Sequence, residues 1–197
     1  MRGVRKIGIY GGTFDPVHHA HLILAREALE QLELDEVIFV PAAASPHKLD
    51  AQATPAAIRL EMLRAAIAGE PRFRVDDREL RRPPPSFTID TIEQFIEADP
   101  ACEISYFIGS DNLPRLHTWH RIDDLERLVR FVVLERGSAA PPSEHLTIRR
   151  LIDISATEVR NRVATGGSIR YLVPSAVEEI IRRHQLYQEP SRSLPKN

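Results

Sequence analysis

The chain has 197 residues, 43% of them hydrophobic, which is enough for the core of one domain of ordinary size. Its formal net charge of −2 at pH 7 excludes a general nucleic-acid binder, because phosphate-backbone affinity needs a basic excess; any anion binding must be local. The lone cysteine, Cys102, allows no internal disulfide and no Cys-x-x-Cys, and is expected only to pack.

The first residues, Met1-Arg2-Gly3-Val4-Arg5-Lys6, lead directly into a strand-like segment without the apolar region of a signal peptide. The longest apolar runs, such as Phe131 to Leu134, fall far short of the roughly 20 residues of a membrane span, so a cytoplasmic protein without membrane contact is expected. In chain order, buried parallel strands are predicted at Ile7 to Tyr10, Val37 to Val40, Phe73 to Val75, Ile104 to Ile108, Phe131 to Leu134 and Leu151 to Ile154. Between the first two, Leu22, Ala25, Leu29 and Leu32 fall on one helical face and complete a βαβ unit. Helices follow over Ala56 to Ala68 and on the face Ile89, Ile92, Phe95 and Ile96. A C-terminal helix is predicted from the capping-box spacing Ser175-x-x-Glu178 and the periodic Val177, Ile180, Ile181 and His184.

Proline-rich Arg82 to Ser86 and the stretch Gly137 to Ser143 read as loops. The polar tail, residues 189–197, is expected to be disordered, leaving a single domain over residues 1–188. The fold class is α/β with a doubly wound parallel sheet closed by the C-terminal helix.

The loop after the first strand, Gly11-Gly12-Thr13-Phe14-Asp15-Pro16-Val17-His18-His19-Ala20-His21, carries the strongest chemical signal. Ligands of open α/β sheets bind beyond the carboxyl ends of strands, where a helix N-terminus offers free N–H groups to anions and paired glycines let backbone approach phosphate. This loop matches neither the dinucleotide fingerprint nor the P-loop. Instead His18 and His21, three apart at a helix start, share one face and can both donate toward phosphate oxygens, whereas His19 points elsewhere, toward solvent. A zinc site would need a third ligand that the neighbourhood lacks, so no protein metal ligand is expected.

Gly11-Gly12-Thr13-Phe14-Asp15-Pro16-x-His18-x-x-His21 resembles the signature of the HIGH-type nucleotidyltransferases, and Ile154-Ser155-Ala156-Thr157-Glu158-Val159-Arg160 resembles their second motif. The resemblance implies that Gly11, Gly12, Thr13, Phe14 and both histidines bind ATP. From the residues alone, Ser155-x-x-Glu158 is a capping box, while Thr157 and Arg160 present a hydroxyl and a guanidinium on one face, suited to triphosphate oxygens.

From Ile7 to about Tyr187 the chain is similar to the nicotinate-nucleotide adenylyltransferases. The matching segments are Pro46-His47-Lys48, Pro85 to Thr91, Ile108-Gly109-Ser110-Asp111, Trp119 and Arg170 to Pro174. Lys48 is a flexible point charge suited to phosphate. Thr88 is expected to cap its helix beside vacant N–H groups that suit a carboxylate, and the ring of Trp119, in a polar stretch, can stack on a flat heterocycle. The resemblance implies that these hold nicotinate, with Phe87 and Lys48 as further substrate contacts, and that Gly109 and Asp111 lie against the ATP ribose and adenine.

The implied fold is Rossmann-like. The implied reaction joins the AMP part of ATP to nicotinate mononucleotide and releases pyrophosphate, with Mg²⁺ carried on phosphate oxygens and water. His18, His21 and Arg160 are the implied catalytic residues, helping Lys48 neutralise phosphate charge. The implied partners are ATP and nicotinate mononucleotide; a homo-oligomer is compatible with the sequence. Departures from the family pattern are Ala20 and Ala156, where glycine and serine are usual, and Ser45, where a proline is common. The sister reading is phosphopantetheine adenylyltransferase; a cytidylyltransferase and a non-catalytic nucleotide sensor are rivals from further afield.

Overall fold

The computed structural model describes residues 4–43, 53–83, 85–137 and 144–188. The predicted tail 189–197 and the Pro46-His47-Lys48 segment lie outside these residues. In chain order the elements are β1 (Lys6–Gly12), α1 (His19–Gln31), β2 (Glu36–Pro41), α2 (Ala56–Ile67), β3 (Phe73–Val75), α3 (Thr88–Ala98) and β4 (Glu103–Gly109). They continue with α4 (Ile122–Leu128), β5 (Arg130–Glu135), β6 (Leu146–Arg149), α5 (Ala156–Ala164) and α6 (Ser175–Arg183). Two 3-10 segments, Arg78–Arg81 and Ser110–Thr118, complete them.

The six strands form one sheet in the order β3-β2-β1-β4-β5-β6, every neighbouring pair parallel. The order runs outward both ways from β1 and β4, so the chain changes direction between these two strands. A crevice opens there, beyond their carboxyl ends. This is a Rossmann-like α/β fold.

Side chains alternate across the sheet and divide the apolar interior in two. Ile7 and Ile9 of β1 join Ile89, Ile92 and Phe95 of α3 and Leu125 of α4 on one face. Tyr10 joins Leu24 and Leu29 of α1, Met62 and Leu63 of α2, Val159 of α5 and Val177, Ile180 and Ile181 of α6 on the other. The buried stripe of α1 is centred on Leu24, Ala25, Ala28 and Leu29, with the expected Leu22 and Leu32 only half-buried at its edges. His184, expected to extend the apolar face of α6, is exposed and meets Glu61 of α2 instead.

Two local expectations are corrected. The sixth strand is Leu146–Arg149, not Leu151 to Ile154. As an edge strand it needs no continuous apolar run, and only Ile148 of its four residues is buried. Leu151 is 73% exposed, and its segment follows the end of β5 through the bonds Arg150 N–H to Glu135 O (3.0 Å) and Ile152 N–H to Arg136 O (2.9 Å). Helix α6 starts after Pro174, so Ser175 is its first residue and no side chain caps it.

Candidate active site

The segment between β1 and α1 turns through Phe14, a buried residue in the left-handed region at φ 50°. Its ring is wedged against Tyr10 (5.5 Å between centroids), His21 (5.2 Å) and Phe39 (5.8 Å), and this packing holds the sparsely populated backbone conformation in place. A Cβ on Gly11 would lie 2.3 Å from the Tyr106 hydroxyl. Glycine is therefore demanded here by the protein's own packing, before any ligand is considered.

His18 is the N-cap residue of α1. Its backbone N–H donates to His21 Nδ1 (3.2 Å), and the two imidazoles stack 3.7 Å apart. His18 is 0% exposed, and among the described residues neither of its ring nitrogens has a hydrogen-bond partner. Burial is the main force lowering its pKa to about 3, with the positive field of Arg136 and then His19 adding to it. His21, half-buried, is held well below its ordinary value by burial, then by His18 and Arg136. Both rings are thus neutral near pH 7, donors without charge. Because His21 Nδ1 accepts the His18 amide, its proton must sit on Nε2. His19, expected to face solvent, is half-buried, its N–H tied to Leu172 O (2.9 Å).

The second motif lies directly on the first. Ser155 caps α5, its hydroxyl accepting the Glu158 N–H (3.1 Å) as the capping-box spacing predicts. Arg160 donates to Asp15 O (2.7 Å) and to the Thr157 hydroxyl (3.3 Å), so the expected shared face is present and bridges 145 residues of chain.

Arg136 was not singled out by sequence reasoning. It follows β5 directly, and its guanidinium donates to Ile154 O (3.1 Å) beside the second motif. Its charge bears on Tyr10, His18 and His21 together. The available signal was its position: a basic residue just past the carboxyl end of a predicted buried strand, amid many arginines that look interchangeable in sequence.

A second cluster forms where α3 begins and β4 ends. Thr88 is the first residue of α3, the N-cap being Phe87, and no side chain caps this helix; that corrects the expected role of Thr88. Its side chain instead lies beside the hydroxyl of the buried Tyr106. The Phe87 ring lies 4.4 Å from His120, an aromatic neighbour that sequence reasoning passed over. Trp119 is half-buried and packs edge-on to Tyr106 (5.9 Å) and Phe131 (6.2 Å), so it is more tied to the core than its polar sequence neighbours suggest. At the end of β4, a Cβ on Gly109 would fall 2.4 Å from an Asp111 carboxylate oxygen; glycine there makes room for Asp111. Ala20 is wholly buried, and Ala156 opens α5.

Strands β1 and β4 are adjacent, so both clusters line the same sheet edge, at the point where α/β proteins of this order bind nucleotides. Residues 9–162 match the family model described as cytidylyltransferase-like, which defines the class as nucleotidyltransferase. A Synechococcus sp. (strain JA-3-3Ab) protein described as a probable nicotinate-nucleotide adenylyltransferase is 43% identical over 94% of this chain and 96% of its own length. A Geobacillus thermodenitrificans protein of the same description is 43% identical over 92% of the chain and 86% of its own length. The chain belongs to the nicotinate-nucleotide adenylyltransferase family. In fold it is similar to Plasmodium falciparum nicotinic acid mononucleotide adenylyltransferase, solved in complex with NaAD, at a TM-score of 0.78 and 22% identity, covering 93% of this chain and 97% of that one.

Proposed function

We propose that the phosphate of nicotinate mononucleotide attacks the α-phosphorus of ATP in the crevice between β1 and β4, forming nicotinate adenine dinucleotide and releasing pyrophosphate. The observation that carries this reading is the stacked His18–His21 pair, the ring nitrogens of His18 unpartnered among the described residues, on a loop that Arg160 of the second motif clasps. The attacking oxygen is already ionised, so no protein nucleophile is needed, and catalysis is positioning plus stabilisation of charge on the leaving group.

His18 and His21 act as neutral N–H donors to phosphate oxygens, and formal positive charge comes from Arg136, Arg160 and Lys48. Gly11, Gly12, Thr13 and Phe14 shape the ATP loop; Ser155 and Thr157 serve the second motif. Gly109 and Asp111 meet the adenosine, while Phe87, Thr88 and Trp119 frame the pyridine ring, with the N–H groups opening α3 facing its carboxylate. Among the described residues no group of three or more His, Cys, Asp or Glu side chains is placed to hold a metal ion. The groups around the proposed phosphate site are imidazole and guanidinium nitrogens, poorly suited to a hard cation. Mg²⁺ would therefore ride on phosphate oxygens and water, where it supplies charge screening for the pyrophosphate. A cytoplasmic setting fits this reading; among the described residues no helix is long and apolar enough to cross a membrane.

The test incubates the protein with ATP and Mg²⁺ and, separately, nicotinate mononucleotide, nicotinamide mononucleotide or phosphopantetheine, following pyrophosphate and the adenylylated product by chromatography. Rapid product with nicotinate mononucleotide alone is expected. Product only from phosphopantetheine, or none from any tube, overturns the reading.

A further inference from the structure

Residues 13–18 contain neither helix nor strand, yet they carry His18 to its place. What holds them comes from elsewhere in the chain. Arg59 of α2 is 2% exposed, and among the described residues its hydrogen bonds all go to backbone carbonyls: Nη1 to Thr13 (2.7 Å), Nε to Thr54 (3.0 Å) and Nη2 to Ala43 (3.4 Å). The loop after β1 and both ends of the β2–α2 connection thus meet on one planar guanidinium. Two residues on, the Asp15 carboxylate accepts the Thr54 N–H (3.1 Å) and the hydroxyl of Tyr187 (2.5 Å). Tyr187 lies beyond α6, 172 residues from Asp15.

A buried arginine is costly to desolvate, and a lysine, a compact point charge, cannot address three carbonyls in one plane. If Arg59 served only to knit the core, an apolar side chain would fill its space at lower cost. Its bonds go instead to the backbone on which the catalytic histidine is mounted, and the far end of the chain is brought to the same loop.

We propose that Arg59, Asp15 and Tyr187 form a positioning clamp that fixes the His18 loop in register with Arg160, without touching substrate. The kinetic part rests on the adenylyl-transfer reading; the conformational part does not.

Tyr187→Phe, which deletes one oxygen, and Arg59→Lys, which keeps the charge, are compared with Met62→Ala, which removes buried packing from the same helix. In the ligand-free protein, amide hydrogen exchange across residues 13–18 should accelerate about tenfold or more in the two clamp variants and stay near wild type in Met62→Ala. In steady-state assays kcat should fall about ten- to a hundredfold in the clamp variants, with both KM values within about threefold, because misalignment acts on the reacting geometry. The double clamp variant should be no slower than its worse parent by more than about twofold, since both changes free one loop.

Unchanged exchange over residues 13–18, equal acceleration in Met62→Ala, or accelerated exchange with undiminished kcat each overturns the clamp. A wild-type protein that makes no dinucleotide defeats the functional reading, and exchange then decides the clamp alone. Should Arg59→Lys fail to fold, Tyr187→Phe carries the test.

Discussion

Replacing His18 by phenylalanine should make the protein less sensitive to acid, and the size of the effect follows from burial. The native His18 ring, 0% exposed with both nitrogens unpartnered among the described residues, has its pKa lowered to about 3. In the unfolded chain its pKa returns to about 6.5. Between these values the unfolded state binds a proton that the native state does not, so stability is fully present above about pH 6.5 and is lost as pH falls toward 3. At about pH 5 the unfolded ring is almost fully protonated and the native ring almost not at all, which costs about 2 kcal/mol. His21 is shifted in the same direction, by burial first, so its contribution is lost with the same fall in pH. His18→Phe keeps an aromatic ring against His21 and deletes the titration. Urea unfolding of the ligand-free proteins at about pH 8 and about pH 5, followed by Trp119 fluorescence, should show a pH-dependent loss about 2 kcal/mol smaller in the variant. Carboxylates and the histidines remote from the pair contribute alike to both proteins and cancel. Identical losses would mean that His18 is protonated, or reaches solvent, in the native state, and the description of the pair as neutral donors would fall.

Arg136→Met keeps the stem and removes the charge that bears on both histidines; kcat for dinucleotide formation should drop about a hundredfold. A kcat within twofold of wild type would remove Arg136 from the site. Gly11→Ala places a methyl group against the Tyr106 hydroxyl and should destabilise the protein by about 1–3 kcal/mol in urea melts. Adding Tyr106→Phe, which takes that oxygen away, should recover much of the loss; no recovery would place the clash elsewhere. Thr88→Val preserves shape but removes the hydroxyl at the start of α3, beside Tyr106. The KM for nicotinate mononucleotide should rise about tenfold with little change in the KM for ATP. An equal change in both would argue against a pyridine-side role.

The strands buried on both faces are legible because they must be written as unbroken apolar runs, as in β1, β2, β4 and β5; the short edge strand β3 was legible too, from its aromatic Phe73 and β-branched Val75, although neither is buried. The edge strand β6 escaped because its Leu146-Thr147-Ile148-Arg149 alternates, while the more apolar Leu151 to Ile154 lies outside the sheet. Helix starts were read from side chains, which succeeded at Ser155, where the hydroxyl does the capping. It failed at Thr88 and Ser175, where the backbone before the helix is already extended and the polar residue falls inside the first turn. The histidine pair and the Thr157–Arg160 face were legible because helical spacing alone brings their members together. Arg136, His120 and the contacts of Arg59 were not. Each acquires its meaning only when segments distant in sequence meet at the sheet edge, and periodicity within one element carries no record of that.

The electrostatics also divide labour between residues that look alike in sequence. Two histidines at a helix start invite the inference of two cations gripping a triphosphate. Burial makes that arrangement expensive: a charged imidazole with no partner in a closed interior would cost more than the helix dipole returns. The chain places the pair in neutral form, fixes the His21 tautomer through the His18 amide, and sets formal charge nearby on the guanidinium groups of Arg136 and Arg160. Donors arranged in this way need not take up or release a proton, nor reorient, as charge develops on a leaving pyrophosphate. That is the condition under which fixed dipoles contribute most to a transition state.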